Sequence, residues 1–228
     1  MASPTDRMAA GAGFGALAKA DELKKRLWFT VGALIIYRLG TYLPLPGINP
    51  DALADIFSQQ SSGILGMFDM FSGGALGRMT IFALNIMPYI TASIIMQLMT
   101  AIVPSLEALK KDGEGGRKAI NQYTRYLTVL LASVQGYGIA VALESASGVV
   151  GDPGMFFRLT TVVTLVGGTL FLMWLGEQIT SRGVGNGISL IIFSGIVAEL
   201  PTALAGTLEL GRTGALSSLL IVLLFVMA

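Results

Sequence analysis

Residues Ile64–Val103 read ILGMFDMFSGGALGRMTIFALNIMPYITASIIMQLMTAIV: a Met/Phe-rich stretch, a glycine pair, then an apolar run of membrane length. The pattern predicts a short helix over 64–73 and a spanning helix over 79–103. A helix of about nine residues reaches only about 14 Å, whereas the hydrocarbon layer is about 30 Å thick. The short helix must therefore dip in and stop. Lipid offers no hydrogen bonds to exposed amides, so irregular backbone at that depth implies surrounding protein or a water-filled cavity. The stretch points to a cavity with a short apolar element in its mouth.

Working outward, 53% hydrophobic and 13% charged residues with a mean hydropathy of +0.71 mark an integral membrane chain. The expected fold is an all-α polytopic membrane helical bundle with a re-entrant helix. Six apolar segments stand out, over about 27–45, 79–103, 126–143, 156–175, 188–208 and 215–228. The last is shorter than the roughly 20 residues a spanning helix needs, so it reads as a truncated segment. Residues 1–23 form an N-terminal segment and 24–228 the membrane domain. The first segment lacks a small-residue cleavage site and is followed by Pro44 and Pro46, so it reads as a mature helix rather than a signal peptide.

Lysines and arginines set the orientation. With the N-terminus cytoplasmic, the outside holds only Arg38, Arg78, Arg158 and Arg212 of the 15 basic residues. The second segment then runs inward. Along it Ile86, Ile90, Ser93, Gln97 and Thr100 follow 4-3-4-3 spacing and share one stripe, apolar near the middle and polar toward the cytoplasm. Two readings stand: interhelical packing, the commoner role of polar side chains in a membrane, and one face of a funnel narrowing to an apolar waist.

Other polar positions read as structural. Arg38 and Arg158 sit near the outer helix ends, within snorkelling distance of the interface. Gln135, Gly136 and Gly138 mark a close-packing face on the third segment, and Gly167 with Gly168 mark one on the fourth. Arg78 stands where the short helix meets the long one, with Asp69 its nearest acidic candidate. The glycine runs GEGGRK (113–118) and GVGNG (183–187) lack P-loop and dinucleotide spacing and follow no strand. The first reads as the flexible tip of a basic hairpin between Pro104 and Gln122, the second as a tight turn into the fifth segment.

The chain has no cysteine and no histidine. That removes disulfides, thiol chemistry, the commonest metal ligand and a Ser/His protease. No cofactor, metal or enzymatic activity is expected, and no basic tract with interleaved aromatics invites nucleic acid. A small-solute secondary transporter with a broken helix remains an alternative, although no carboxylate lies at the centre of any segment to couple an ion. An aspartyl intramembrane protease would need paired mid-membrane acids, which are also missing.

Two stretches, IFALNIMPYITASIIMQLM (81–99) and FLMWLGEQITSRGVGNGISLIIFSGIVA (171–198), resemble the signature regions of the SecY family of Sec protein-translocation channel subunits. PLPGI (44–48), MFSGGALGR (70–78) and NQYTRY (121–126) fit as well, and the resemblance runs over nearly the whole chain after Leu23, spanning the first half of such a protein and part of its sixth helix. At Asn85 the family more often carries glycine.

The resemblance implies a protein-conducting channel in the cytoplasmic membrane that passes unfolded secretory chains across and membrane segments sideways. It implies that Ile86, Ile90 and Ile192 supply this half's share of an apolar pore ring, and it favours lining over packing at the first two. Ile64, Leu65, Met67, Phe68, Met70, Phe71, Gly73 and Gly74 match the plug, and Ser93, Gln97 and Thr100 fall on the cytoplasmic funnel or lateral gate. SecE and SecG are the implied companions, with SecA or a translating ribosome docking on the cytoplasmic face, where Lys110, Lys111, Arg117 and Lys118 have a secondary contact role. If the glycine pair is a hinge, alanine at Gly73 and Gly74 should stiffen it and hinder movement of the plug.

Overall fold

The computed structural model describes residues 21–60, 69, 72–146 and 148–212, without the side chains of 56–60 and 209–211. The segment 215–228 and the plug positions Ile64, Leu65, Met67, Phe68, Met70 and Phe71 lie outside the described residues. Among the described residues seven helices come in the order α1 (Asp21–Gly40), α2 (Pro50–Gln60), α3 (Met87–Ile102), α4 (Pro104–Lys111), α5 (Glu114–Ser145), α6 (Met155–Arg182) and α7 (Gly187–Arg212). Among the described residues there is no strand, only two isolated antiparallel bridges, Pro44 with Thr80 and Ile48 with Val150.

Helix α1 carries Asp21 and Glu22 in its first turn, where acids complement the helix dipole. It stops at Gly40, five residues before the expected end. A Cβ on Gly40 would lie 1.9 Å from the Phe82 ring, so only glycine admits that ring against the helix end. After a turn at Thr41 and Tyr42, Leu45 N–H donates to Met79 C=O while Ile81 N–H donates to Leu43 C=O. Those two bonds set where α3 can begin.

Because 79–81 pair with 43–45, they cannot enter a helix, and the expected span 79–103 is shortened to Met87–Ile102. Residues 81–86 after the Thr80 bridge are consecutive turns, and Met79 and Asn85 adopt φ of +44° and +49°. Ile86 caps α3, and Pro88 takes the first turn, where a missing N–H costs nothing. α3 is about 24 Å long by its 16 residues. Pro104 then turns the chain by 99° into α4.

The polar hairpin is helical on both sides of its tip. α4 ends at Lys111, Gly113 adopts φ +76°, and α5 starts at Glu114, twelve residues before the apolar segment. The flexible tip expected over 113–118 is instead helical from Glu114 onward, with Gly116 fitted against the Leu109 carbonyl where a Cβ would clash.

Helices α5, α6 and α7 are each long and apolar enough to cross a membrane, and the bent pair α3/α4 qualifies as a broken span. α5 packs on α6 through a four-residue repeat of small buried positions, Thr128, Ala132, Gly136 and Ala140, with Gly136 against Val162 and Leu165. Gly138 and Gly167 face open space instead. Of the pair Gly167 and Gly168, Gly168 alone takes the packing role, a Cβ there clashing with the Ile81 carbonyl oxygen. The turn 183–187 behaves as expected, with Gly185 at φ +77° and Asn186 Oδ1 accepting from the N–H groups of Ile188 and Ser189 to cap α7.

Among the described residues two apolar cores result. One, around Leu45, Leu53, Leu84, Ala132, Val149, Phe157 and Leu165, ties the 44–53 segment and α2 to α5 and α6. The other, around Tyr37, Phe82, Ile86, Leu172, Leu175, Ile179 and Ile191, joins α1, the turns before α3, α6 and α7.

Candidate functional site

Ile86, Ile90 and Ile192 line one cavity of about 220 Å³, together with Asn85 and Met87. Three separate devices bring them there. Ile86 is fixed as the cap of α3 and is 1% exposed, Ile90 comes one helical turn later, and Ile192 projects from α7. The wall is hydrocarbon except for the Asn85 carboxamide. Such a surface repels ions and offers a passing chain no hydrogen bonds to hold it.

The polar part of the stripe belongs to a second cavity, of about 350 Å³, which Ser93, Gln97 and Thr100 share with Lys110, Arg117, Asn121 and Thr124. Gln97 Nε2 donates to Ser93 Oγ at 3.2 Å, and Thr100 Oγ1 donates to the Gln97 carbonyl at 2.7 Å. The stripe therefore borders two spaces, one apolar and one polar and cationic. Of the four basic residues expected at the cytoplasmic side, Lys110 and Arg117 line this second space. Lys111 instead pairs with Glu107 at 2.6 Å, and Lys118 is exposed away from it.

Gly73 and Gly74 form a buried turn at φ of +65° and +77°. Gly73 packs backbone to backbone on Gly195 of α7. Asp69 winds the turn from the other side: its Oδ1 accepts from Gly77 N–H at 2.6 Å, and its carbonyl accepts from Gly74 N–H at 3.0 Å. Asp69 is not the partner of Arg78. Arg78 Nη2 and Arg38 Nη1 each donate to the Gly73 carbonyl at 2.9 Å, and both guanidinium groups lie over the Tyr42 ring, at 4.5 and 5.1 Å. Arg38 also donates to Tyr42 Oη, so it is a structural tie rather than a snorkelling charge. Arg158 is tied too, to Glu144 at 2.6 Å.

Sequence reasoning missed Tyr37, whose hydroxyl donates to the Ser72 carbonyl at 3.3 Å. It also missed the bidentate pair of Arg125 on α5 with Glu177 on α6. A hydroxyl and a cation side by side in an apolar helix (Tyr37, Arg38) were the available signal for the first. For the second, 52 residues separate the partners and no local pattern links them.

A family model described as SecY matches residues 80–228, more than half of the chain. The chain belongs to the SecY family. It is 59% identical over 204 residues to the protein translocase subunit SecY of Rickettsia bellii, covering 88% of this chain and 47% of that one. To the protein translocase subunit SecY of Escherichia coli K12 it is 56% identical over 209 residues, covering 90% and 47%. The chain thus spans about half the length of these SecY relatives. Its fold matches Sec61 in the canine ribosome-channel complex from the endoplasmic reticulum, with a TM-score of 0.56 at 19% identity over 83% of this chain and 38% of that one. With SecY relatives and three membrane-length helices, it is a multi-pass membrane protein with the helical SecY-like fold.

Proposed function

We propose that the chain supplies one wall of a protein-conducting channel, through which unfolded polypeptide crosses the cytoplasmic membrane and apolar segments leave sideways into lipid. The observation that carries this reading is the convergence of Ile86, Ile90 and Ile192 on one apolar cavity in a member of the SecY family. Aliphatic side chains close around an arbitrary sequence without bonding it, and a dewetted ring limits ion flow. No bond chemistry is required. The stretch 64–74 acts as the plug, and the polar cavity of Ser93, Gln97 and Thr100 forms the cytoplasmic entry beside the lateral gate.

Energy comes from outside the chain, from SecA or a translating ribosome, with SecE and SecG as companion subunits. The ribosome is supported by the fold match to a channel solved in a ribosome complex. Lys110 and Arg117 reach the polar cavity, which supports a contact role there. The N-terminus is cytoplasmic, as the distribution of lysine and arginine favours.

The test is crosslinking from single cysteines, for which this cysteine-free chain gives a clean background. In a channel assembled with this chain, Ile90→Cys should crosslink to a stalled secretory polypeptide. Val163→Cys, on the 69% exposed outer side of α6, should not. Strong labelling at 163 with none at 90 would remove the lining role.

A further inference from the structure

Residues 190–193 of α7 read LIIF, an unbroken apolar run, yet the three at 191–193 have three different surroundings. Ile191 is fully buried in the core with Ala33 and Tyr37 of α1, Ile192 lines the apolar cavity, and Phe193 is 60% exposed. Neighbouring residues on a helix lie about 100° apart, so rotating α7 by one residue would hand the place of Ile192 to a neighbour. Apolar burial has no direction, and a run of similar side chains does not choose among these settings. α7 is also the least buried of the three membrane-length helices. Its rotation is therefore left to groups that bond in one direction.

Two threonine hydroxyls at the start of α7 are such groups. Thr180 Oγ1 of α6 accepts from Gly187 N–H at 2.9 Å, and Thr30 Oγ1 of α1 accepts from Val184 N–H at 3.1 Å, across 154 positions of chain. Thr30 is 6% exposed and gives its own proton to the Arg26 carbonyl at 2.9 Å, which leaves a lone pair aimed at the turn. A Cβ on Gly183 would crowd that hydroxyl, so glycine admits the approach. Glycine permits close packing without enforcing it. Of the two bonds, only the one from Thr30 comes from outside the hairpin of α6, turn and α7, and it fixes that hairpin against α1. We propose that Thr30 is a positioning residue that sets the rotation of α7 and so keeps Ile192, rather than Phe193, in the wall of the apolar cavity. Val184 is itself exposed, so its N–H finds water when the hydroxyl is removed, and the turn loses its tie to α1 without leaving a buried orphan donor.

The inference rests on the channel reading, and its test separates the two. Ile192→Cys, Phe193→Cys and Ile90→Cys are each crosslinked, in assembled channels, to a cysteine in a stalled secretory chain, with Thr30 intact, with Thr30→Val and with Thr30→Ser. With Thr30 intact, position 192 should crosslink several-fold more than 193. Thr30→Val keeps the shape of the side chain and removes the hydroxyl, and it should lower that ratio several-fold while position 90, on α3, keeps its yield. Thr30→Ser restores the hydroxyl and should restore the ratio.

An unchanged ratio in Thr30→Val with normal labelling at 90 would overturn the positioning role and leave the channel reading standing. A ratio that falls as far in Thr30→Ser, a yield at 90 that falls with that at 192, or equal labelling from 192 and 193 with Thr30 intact would overturn it as well. If Thr30→Val does not assemble, Thr30→Ala is read by the same ratio, and failure of both to assemble would make the hydroxyl a folding element and end the proposal. No crosslink from 90 or 192 with Thr30 intact would end the channel reading, and the positioning role with it.

Discussion

At Gly73 the sequence and the structure give opposite signs to one substitution. A glycine pair between two helices reads as a hinge, and alanine as a stiffener. The structure instead places Gly73 at φ +65°, with the site of a Cβ 3.1 Å from both the Gly195 Cα and Arg38 Nη1. An L-residue there costs about 1–2 kcal/mol in backbone strain before any clash is counted. Gly73→Ala should therefore dislodge the turn from α7 and raise the resting ion leak of assembled channels, and a leak below the wild-type level would restore the hinge. The glycines were legible as punctuation, but neither the sign of φ nor the distant neighbour on α7 was. The isoleucines were easier: 4-residue spacing put Ile86 and Ile90 on one side, and they do share a cavity. Ile192 came through family resemblance alone, since no spacing rule links α3 to α7.

Helices α5 and α6 were found by hydropathy, yet what holds them in register was not. Arg158 with Glu144 clamps one end of this antiparallel pair, and Arg125 with Glu177 clamps the other. The two pairs differ in exposure. Glu144 is 9% exposed and also accepts from Gly154 N–H, whereas Glu177 is 34% exposed and Arg125 is 42% exposed. Water and salt screen the second pair to about 1 kcal/mol or less, while a neutralised Glu144 leaves Arg158 without its charge partner in a drier site. Thermal unfolding of the assembled protein should show a clearly larger fall in midpoint for Glu144→Gln than for Glu177→Gln, and equal falls would mean that exposure does not rank them. Hydropathy also could not see the break before α3. Residues 79–86 are as apolar as the helix they precede, and only Pro88 marks where turns end and helix begins. What decides the break is pairing with 43–45, a contact between segments far apart in the chain.

Across the whole molecule, successive helices reverse direction, so their ends fall into two groups, and the basic residues are expected to say which group faces the cytoplasm. The turn at Gly73–Gly74, the bridge of Ile48 with Val150 and the Arg158–Glu144 pair cluster at the ends of helices that the charge bias assigned to the outside. The α4/α5 hairpin and the 183–187 turn occupy ends assigned to the cytoplasm. Charge counting and three-dimensional packing are independent, since the first uses only which loops hold lysine and arginine and the second only which segments touch. Packing groups the loops by side and charge proposes which side is cytoplasmic, so orientation is open to a direct measurement. In sealed inverted vesicles, whose cytoplasmic face points outward, a membrane-impermeant maleimide should label Lys111→Cys and spare Asp152→Cys, both exposed positions. Intact spheroplasts should reverse that pattern. Labelling of Lys111→Cys from the spheroplast exterior would invert the whole molecule, placing the polar cavity of Ser93, Gln97 and Thr100 on the outside and removing it as the point of entry.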